Sequence, residues 1–170
     1  LGVVAIAIGV VLLPDLSRRL AAEDTEGGRY AFNRAAEFAL LLTLPAAVAL
    51  IVIAGPIVSV LYQRGAFSVQ AAQRTAEVTA IYGLGLPAFV LQKVLQPLYL
   101  ARHNTRTPFH YALVAMLINA VIAVGGAFLI GFYAAAWATT LAGWAMVLLL
   151  WAGSRGMGHA AQPDPRLKRR

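Results

Sequence analysis

The chain has 170 residues, of which 60% are hydrophobic and only 12% are charged, and its mean hydropathy is +0.72. A soluble domain carries roughly 25% charged residues, so this composition excludes a water-soluble globule. The 48 residues from Thr107 to Ser154 contain no Asp, Glu, Lys or Arg. Two membrane crossings fit there, because ~20 apolar residues span the hydrocarbon core as a helix.

The formal net charge of +7 does not favour nucleic acid as a partner, because the basic residues form clusters between apolar segments. Anionic lipid headgroups are the counter-charge that this pattern predicts. The chain has no cysteine, which excludes disulfides, thiolate nucleophiles and Cys-based zinc sites. Its histidines lack metal-ligand spacing, its serines lack a nucleophile-elbow context and it has no Walker A loop, so we expect no enzyme.

The apolar segments predict an all-α fold, a polytopic transmembrane helix bundle within residues 1–154. In chain order, the expected helices occupy approximately residues 1–14, 36–62, 76–101, 108–130 and 132–153, and residues 155–170 form a basic tail or a linker. The first of these apolar runs is short for a membrane span, and the chain starts with Leu1. We therefore expect the sequence to begin inside a helix and to be a fragment of a larger protein. The last two segments should form a tight hairpin near Gly131.

Basic residues predict the orientation of these helices. With alternating crossings, one side of the membrane receives only Arg64 and Arg74. The other side receives eleven basic residues, and the positive-inside rule makes it cytoplasmic, together with the C-terminal tail. These residues are Arg18, Arg19, Arg29, Arg34, Arg102, Arg106, Arg155, Arg166, Lys168, Arg169 and Arg170.

Four motifs in register resemble the MurJ/MviN family, over about residues 1–153. They are LLPDLSR at 12–18, LLTLPA at 41–46, LYQRGAF at 61–67 and KVLQPLYLAR at 93–102 with TRTP at 105–108. The resemblance implies a lipid II flippase of the multidrug/oligosaccharidyl-lipid/polysaccharide exporter superfamily. It also implies about fourteen helices in two lobes, of which this chain would supply the eighth to the twelfth, a partial second lobe.

The resemblance further implies movement of the undecaprenyl-diphosphate-linked peptidoglycan precursor across the bacterial cytoplasmic membrane by alternating access. Its expected partners are lipid II, membrane lipids, the remaining helices of the full-length protein and proteins of cell-wall synthesis. The family's main cavity arginines lie outside this chain, and Asn104 stands where the family usually has an acidic residue. We expect no cofactor, and the resemblance leaves membrane potential and a monovalent cation open as energy sources. The alternatives are a drug/cation antiporter of the same superfamily and a non-transporting scaffold in envelope assembly.

Lys93 is the only ionised side chain well inside a predicted segment. Such a lysine costs ~2.5–3.5 kcal/mol on insertion scales, which makes it a functional candidate. It either attracts the substrate diphosphate in the cavity, or it snorkels or pairs with another group. Further substrate-binding candidates are Gln92, Gln96 and Tyr99, which share a helical face and are alternatively interhelical hydrogen-bonding groups, and Arg102 and Arg106 at headgroup level.

Prolines and glycines in the segments predict bends, which are either hinges for alternating access or static kinks. The hinge candidates are Gly83, Gly85, Pro87, Pro97, Pro14 and Pro45. Asn119 and Thr139, with Thr140, are weak candidates for a sodium site and stronger candidates for hydrogen bonds across the hairpin, because no carboxylate lies near them. Thr107 is the expected cap of the fourth helix, before Pro108.

Overall fold

The computed structural model describes residues 10–11, 14–15, 17–19, 22, 24–62 and 68–156. From residue 24 onwards this part contains five helices. They are α1 (Thr25–Val52), α2 (Ala54–Tyr62), α3 (Val69–Leu100), α4 (Arg106–Ile130) and α5 (Tyr133–Gly156). The predicted all-α fold is confirmed. Most of the predicted helix 1–14 and of the tail 155–170 lies outside the described residues, as do Arg64 and the side chain of Arg29.

Among the residues that the structure describes, four stretches are long and apolar enough to cross a membrane. They are Tyr30–Val52, Val69–Leu100, Arg106–Ile130 and Tyr133–Ser154. α1 and α3 begin 11 and 7 residues before the starts expected at 36 and 76, because polar caps extend the helices beyond their apolar parts. Asp24 accepts a hydrogen bond from the Gly27 N–H at 2.8 Å, and Ser68 accepts one from the Ala71 N–H at 3.2 Å.

The turn between α3 and α4 is closed by Asn104. Its side-chain oxygen accepts a hydrogen bond from the Thr107 N–H at 3.1 Å, and its amide nitrogen donates one to the Thr107 hydroxyl at 3.0 Å. The cap expected at Thr107 is therefore wrong, and Asn104 serves as the cap in its place. His103, the residue before Asn104, has a φ of 54°, which lies in the left-handed region that residues other than glycine rarely adopt.

Gly131 joins α4 and α5. Its φ of 61° lies in the region that glycine adopts without steric cost, and its N–H donates to the Ala127 carbonyl at 3.2 Å. The two helices consequently return against each other, and a Cβ at Gly126 would stand 3.0 Å from the Cβ of Ala134. The structure thus contains the tight hairpin that the sequence predicts near this glycine.

The helices cross in alternating directions. α1 is antiparallel to α3, because Ala47 and Ile51 near its end lie against Gly83, whereas Ala39 packs with Val90 and Val94. α3 and α5 are parallel, since a hydrogen bond joins Tyr133 at the start of α5 to Glu77 in the third turn of α3, and another joins Tyr99 at the end of α3 to Leu150 in the last third of α5. α3 therefore lies between α1 and α5, and α5 lies between α3 and α4. Short α2 packs against α3.

Candidate functional site: the open side of the central helix

Three stripes of side chains run along α3, because residues three or four positions apart share a face of a helix. The first stripe faces α1 and is wholly buried: Gly83, Pro87, Val90, Val94 and Pro97. The second stripe faces α5: Gly85, Ala88, Gln92, Leu95 and Tyr99. The third, here called the open stripe, is exposed or half-buried: Tyr82, Leu86, Lys93, Gln96 and Leu100.

Lys93 lies exposed on the open stripe. Its ammonium group makes no hydrogen bond or ion pair with any part of the chain that the structure describes. Gln96 lies one turn further along the same stripe and is half-buried, and Tyr82 lies three turns before Lys93 with 38% of its surface exposed. A cation, an amide and a phenol therefore occupy one side of a helix that spans the membrane.

Gln92 and Tyr99, which the sequence places with Gln96, instead bind α5. The Gln92 amide nitrogen donates a hydrogen bond to the Gly143 carbonyl at 3.0 Å, and the Tyr99 hydroxyl donates to the Leu150 carbonyl. Tyr99 is fully buried, and its ring meets Tyr111 of α4 edge-on at 6.5 Å between centroids. Of the predicted polar face, Gln96 alone remains beside Lys93.

The predicted hinge residues of α3 lie within one continuous helix. Gly83, Gly85, Pro87 and Pro97 are all buried. A Cβ at Gly83 would stand 2.9 Å from Ile51 Cγ1, and a Cβ at Gly85 would stand 3.2 Å from Thr140 Oγ1. The two glycines therefore allow close approach of α1 on one side and of α5 on the other. Pro45 lies inside α1 and is exposed, as is Pro14.

Asn119 meets Thr139 across the hairpin, with its amide nitrogen 3.4 Å from the threonine hydroxyl. Thr139 in turn donates a hydrogen bond to the Ala135 carbonyl at 2.9 Å. Thr140 does not join them, because the next residue on a helix points about 100° away, and it donates to the Ile81 carbonyl of α3 at 3.1 Å. Within the described residues, no group of three His, Asp or Glu side chains is placed to hold a metal ion.

Basic side chains mark one end of the bundle. Arg102 and Arg106 are exposed on either side of the turn between α3 and α4. Arg34 of α1 lies 3.7 Å from Glu37 and 5.0 Å from the centre of the Phe38 ring. Near the start of α1, a hydrogen bond with Asp15 at 2.9 Å raises the pKa of Arg19.

Sequence reasoning missed three side chains that join α3 to α5. Trp144 donates a hydrogen bond to the Leu84 carbonyl at 3.1 Å, and the Tyr133 hydroxyl donates to Glu77. Phe89 fills the space beside Gly143, where a Cβ would meet its ring at 2.9 Å. The partners of Tyr133 and Trp144 are 56 and 60 residues away along the chain, so no local pattern identifies them.

Comparison with known proteins identifies the family to which this chain is similar. The family model described as "Lipid II flippase MurJ" matches residues 1–160. A relative from Rhizobium meliloti (strain 1021), named "Probable lipid II flippase MurJ", is 43% identical over 169 residues, which are 99% of this chain and 32% of the relative. A "Lipid II flippase MurJ" from Thermosipho africanus (strain TCF52B) is 31% identical over 149 residues, 88% of this chain and 30% of the relative.

A solved structure, "Lipid II flippase MurJ, inward closed conformation", matches with a TM-score of 0.79 and 30% sequence identity. The match covers 91% of this chain and 32% of that structure. The chain thus spans about a third of the length of the relatives that it matches. Together with the four apolar spans, these matches describe a multi-pass membrane protein. The chain belongs to the MurJ family of lipid II flippases.

Proposed function

We propose that this chain takes part in moving lipid II, the undecaprenyl-diphosphate-linked peptidoglycan precursor, across the bacterial cytoplasmic membrane by alternating access. Family membership supports this role. The observation that carries it within the chain is the open stripe, where Lys93 is exposed and without a partner among the described residues. A lysine in a membrane span costs ~2.5–3.5 kcal/mol on insertion scales, and such residues face a bundle interior or a hydrated cavity.

Lys93 is the residue to which we assign contact with the substrate. Its ammonium group attracts the diphosphate, and the neighbouring Gln96 supplies hydrogen-bond donors on the same stripe. Gln92 and Tyr99 support this contact indirectly, because their bonds to α5 set the rotation of α3. Arg102 and Arg106 stand at headgroup level, where they attract the anionic precursor before it enters.

The orientation in the membrane is inferred from the unequal number of basic residues at the two ends of the bundle. Arg34, Arg102 and Arg106 belong to one end of the bundle, and Arg74 with Glu77 belongs to the other. We assign the first end, and with it the C-terminal tail, to the cytoplasm by the positive-inside rule. Translocation moves lipid II without covalent chemistry, and membrane potential or a monovalent cation gradient supplies any energy it needs.

Substrate charge separates this proposal from its closest alternative. A drug/cation antiporter of the same superfamily would bring positive charge to its cavity, where Lys93 would repel it. A diphosphate is attracted instead. The two functions are distinguished by adding excess unlabelled lipid II or a cationic drug as a competitor to the transport of labelled lipid II in the assay below. Competition by the drug but not by lipid II would overturn the proposal.

The test uses a chimera in which this chain replaces the matching third of the Rhizobium meliloti relative. Lipid II that reaches the outer leaflet is measured with an externally added enzyme that cleaves it. Loss of a charge-assisted contact costs about 1.5–3 kcal/mol, so Lys93→Met should reduce transport about 10- to 100-fold. Lys93→Arg, which keeps the charge, should retain most of the transport.

The control for folding is the melting temperature of each variant in detergent. Lys93→Met should melt at or above the temperature of the parent chimera, because an exposed cation in a span is replaced by an apolar side chain. Full transport by Lys93→Met would show that the lysine is not a substrate contact. A chimera that folds but leaves lipid II in the inner leaflet would overturn the proposed function itself.

A further inference from the structure

The two interfaces of α3 differ in how they are held together. At the interface with α5, at least five side chains of the described residues donate hydrogen bonds across the helix pair, four of them to backbone carbonyls. The donors are Gln92, Tyr99, Tyr133, Thr140 and Trp144, and their bonds extend from Glu77 to Tyr99 on α3 and from Tyr133 to Leu150 on α5. In the described parts of α1 and α3, no side-chain hydrogen bond or ion pair joins these two helices.

Steric contacts reinforce the interface between α3 and α5. The Phe89 ring lies between Gly85 on its own helix and Gly143 on α5, and a Cβ added at either glycine would stand 2.9 Å from it. The ring therefore adds a close steric contact to the hydrogen bonds between these two helices. α4 is attached to the same pair through Asn119 and Thr139 and through the contact of Tyr111 with Tyr99.

The interface between α1 and α3 is formed by apolar side-chain contacts instead. Ala39 packs with Val90 and Val94, and the Ile51 side chain lies against Gly83. Small and apolar surfaces of this kind slide past each other without breaking directional bonds, which is the structural basis of shear between packed helices. A displacement of α5 along α3 would break five hydrogen bonds and force Phe89 out of its place.

We propose that α3 and α5, with α4 attached, move as one rigid body during transport, and that α1 slides along α3. This inference rests on the proposed function, because the movement is that of alternating access. It assigns Pro87 a static role within α3. Bending there would separate the Ile81 and Leu84 carbonyls from the Thr140 and Trp144 side chains that hold them. The mobile boundary is the α1 face of α3.

Paired cysteines test the inference, since the chain itself has none. Gly85→Cys with Thr140→Cys links α3 to α5, where a Cβ at residue 85 stands 3.2 Å from Thr140 Oγ1. Gly83→Cys with Ile51→Cys links α3 to α1, where the corresponding distance to Ile51 Cγ1 is 2.9 Å. Thr140 Oγ1 and Ile51 Cγ1 are each bonded to the Cβ of their own residue, so both pairs are close enough for a disulfide to form. The α3 cysteines of the two pairs, at positions 83 and 85, are only two residues apart, so the pairs serve as matched controls.

The pairs are introduced into the chimera, with its native cysteines replaced, and each is compared before and after oxidation. We expect the oxidised 85–140 pair to retain lipid II transport within about twofold of its reduced form. We expect the oxidised 83–51 pair to lose transport more than about tenfold and to regain it on reduction. The reduced form of each protein controls for the substitutions themselves, and gel mobility reports the extent of cross-linking.

Each remaining outcome has a distinct meaning. Loss of transport on oxidation of the 85–140 pair would overturn the rigid body, because it would show that α3 and α5 separate during the cycle. Full transport by the oxidised 83–51 pair would overturn sliding at α1. If the reduced proteins fold but do not move lipid II, the proposed function fails. The inference about helix movement fails when the reduced protein transports lipid II and oxidation has the opposite effect to the one expected.

Discussion

The central helix α3 and the outer helix α4 both carry exposed residues, but these residues differ in kind. On α4 they are almost all apolar, and among the helix residues only Ala115 is buried. The exposed large side chains there include Phe109, Leu113, Val114, Met116, Leu117, Val121, Val124, Phe128 and Leu129. On the open stripe of α3, Lys93, Gln96 and Tyr82 interrupt the apolar residues.

The difference shows that exposure in a membrane protein has two meanings. Lipid tails accept the surface of α4 without cost, because they are as apolar as leucine. They do not accept an ammonium group, so the open stripe of α3 requires water or further protein beside it. We infer that α4 forms the lipid-facing wall of this bundle and that α3 forms its functional side.

The largest expected effect comes from placing a charge on each helix. Leu117 lies on exposed α4, eleven residues from Arg106 and therefore about 16 Å into the membrane. Leu117→Lys should cost ~2.5–3.5 kcal/mol and reduce insertion of this helix roughly 100-fold, as measured by the yield of membrane-integrated protein.

The matched change is Tyr82→Lys, at the middle of α3 on the open stripe. We expect insertion close to that of the parent chimera, because the new charge would face the same environment as Lys93. Equal loss in both variants would remove the distinction between the two helices and would place lipid against α3 as well.

Two glycines extend the comparison to packing. A Cβ at Gly153 of α5 would stand 2.6 Å from the hydroxyls of both Tyr99 and Tyr111, whereas a Cβ at Gly125 of α4 would meet nothing within 4 Å. Gly153→Ala should destabilise the protein by about 1–3 kcal/mol, because these rings are packed between helices.

Gly125→Ala, on the lipid-facing wall, should leave stability unchanged or raise it by up to about 1 kcal/mol through helix propensity. Melting temperatures of the two variants in the same detergent provide the measurement. A lower melting temperature for Gly125→Ala than for Gly153→Ala would mean that α4 is covered by protein at this position.

Much of this architecture is predictable from the sequence, because local features determine it. Apolar runs predict the four described spans, and the hairpin follows from a glycine between two of them. Helix ends were less predictable, since Asp24 and Ser68 extend α1 and α3 beyond the apolar stretches. Asn104 caps α4 although it precedes the helix by two residues.

The candidate site was only partly predictable. Lys93 is identified by its charge alone, which needs no knowledge of its neighbours. Gln92 and Tyr99 look equivalent to Gln96 in sequence, and only the position of α5, 51 residues further on, separates them. Thr140 likewise binds Ile81 at a distance of 59 residues, although its neighbour Thr139 faces the hairpin. Long-range packing decides these partners.

The smallest expected effect concerns a single hydrogen bond of α3. Tyr99→Phe removes the bond to the Leu150 carbonyl in a fully buried position, and interhelical bonds of this kind average about 0.6 kcal/mol, with a maximum near 1.7. Burial of Tyr99 argues for the upper part of that range, because a carbonyl left without its donor has no water to replace it. Tyr82→Phe, on the open stripe, removes a hydroxyl that makes no hydrogen bond to any residue that the structure describes, and the melting temperature of this variant should equal that of the parent chimera. If Tyr82→Phe were the more destabilising of the two, the exposed side of α3 would be held by protein contacts, and the contrast with α4 would lie in packing and not in hydration.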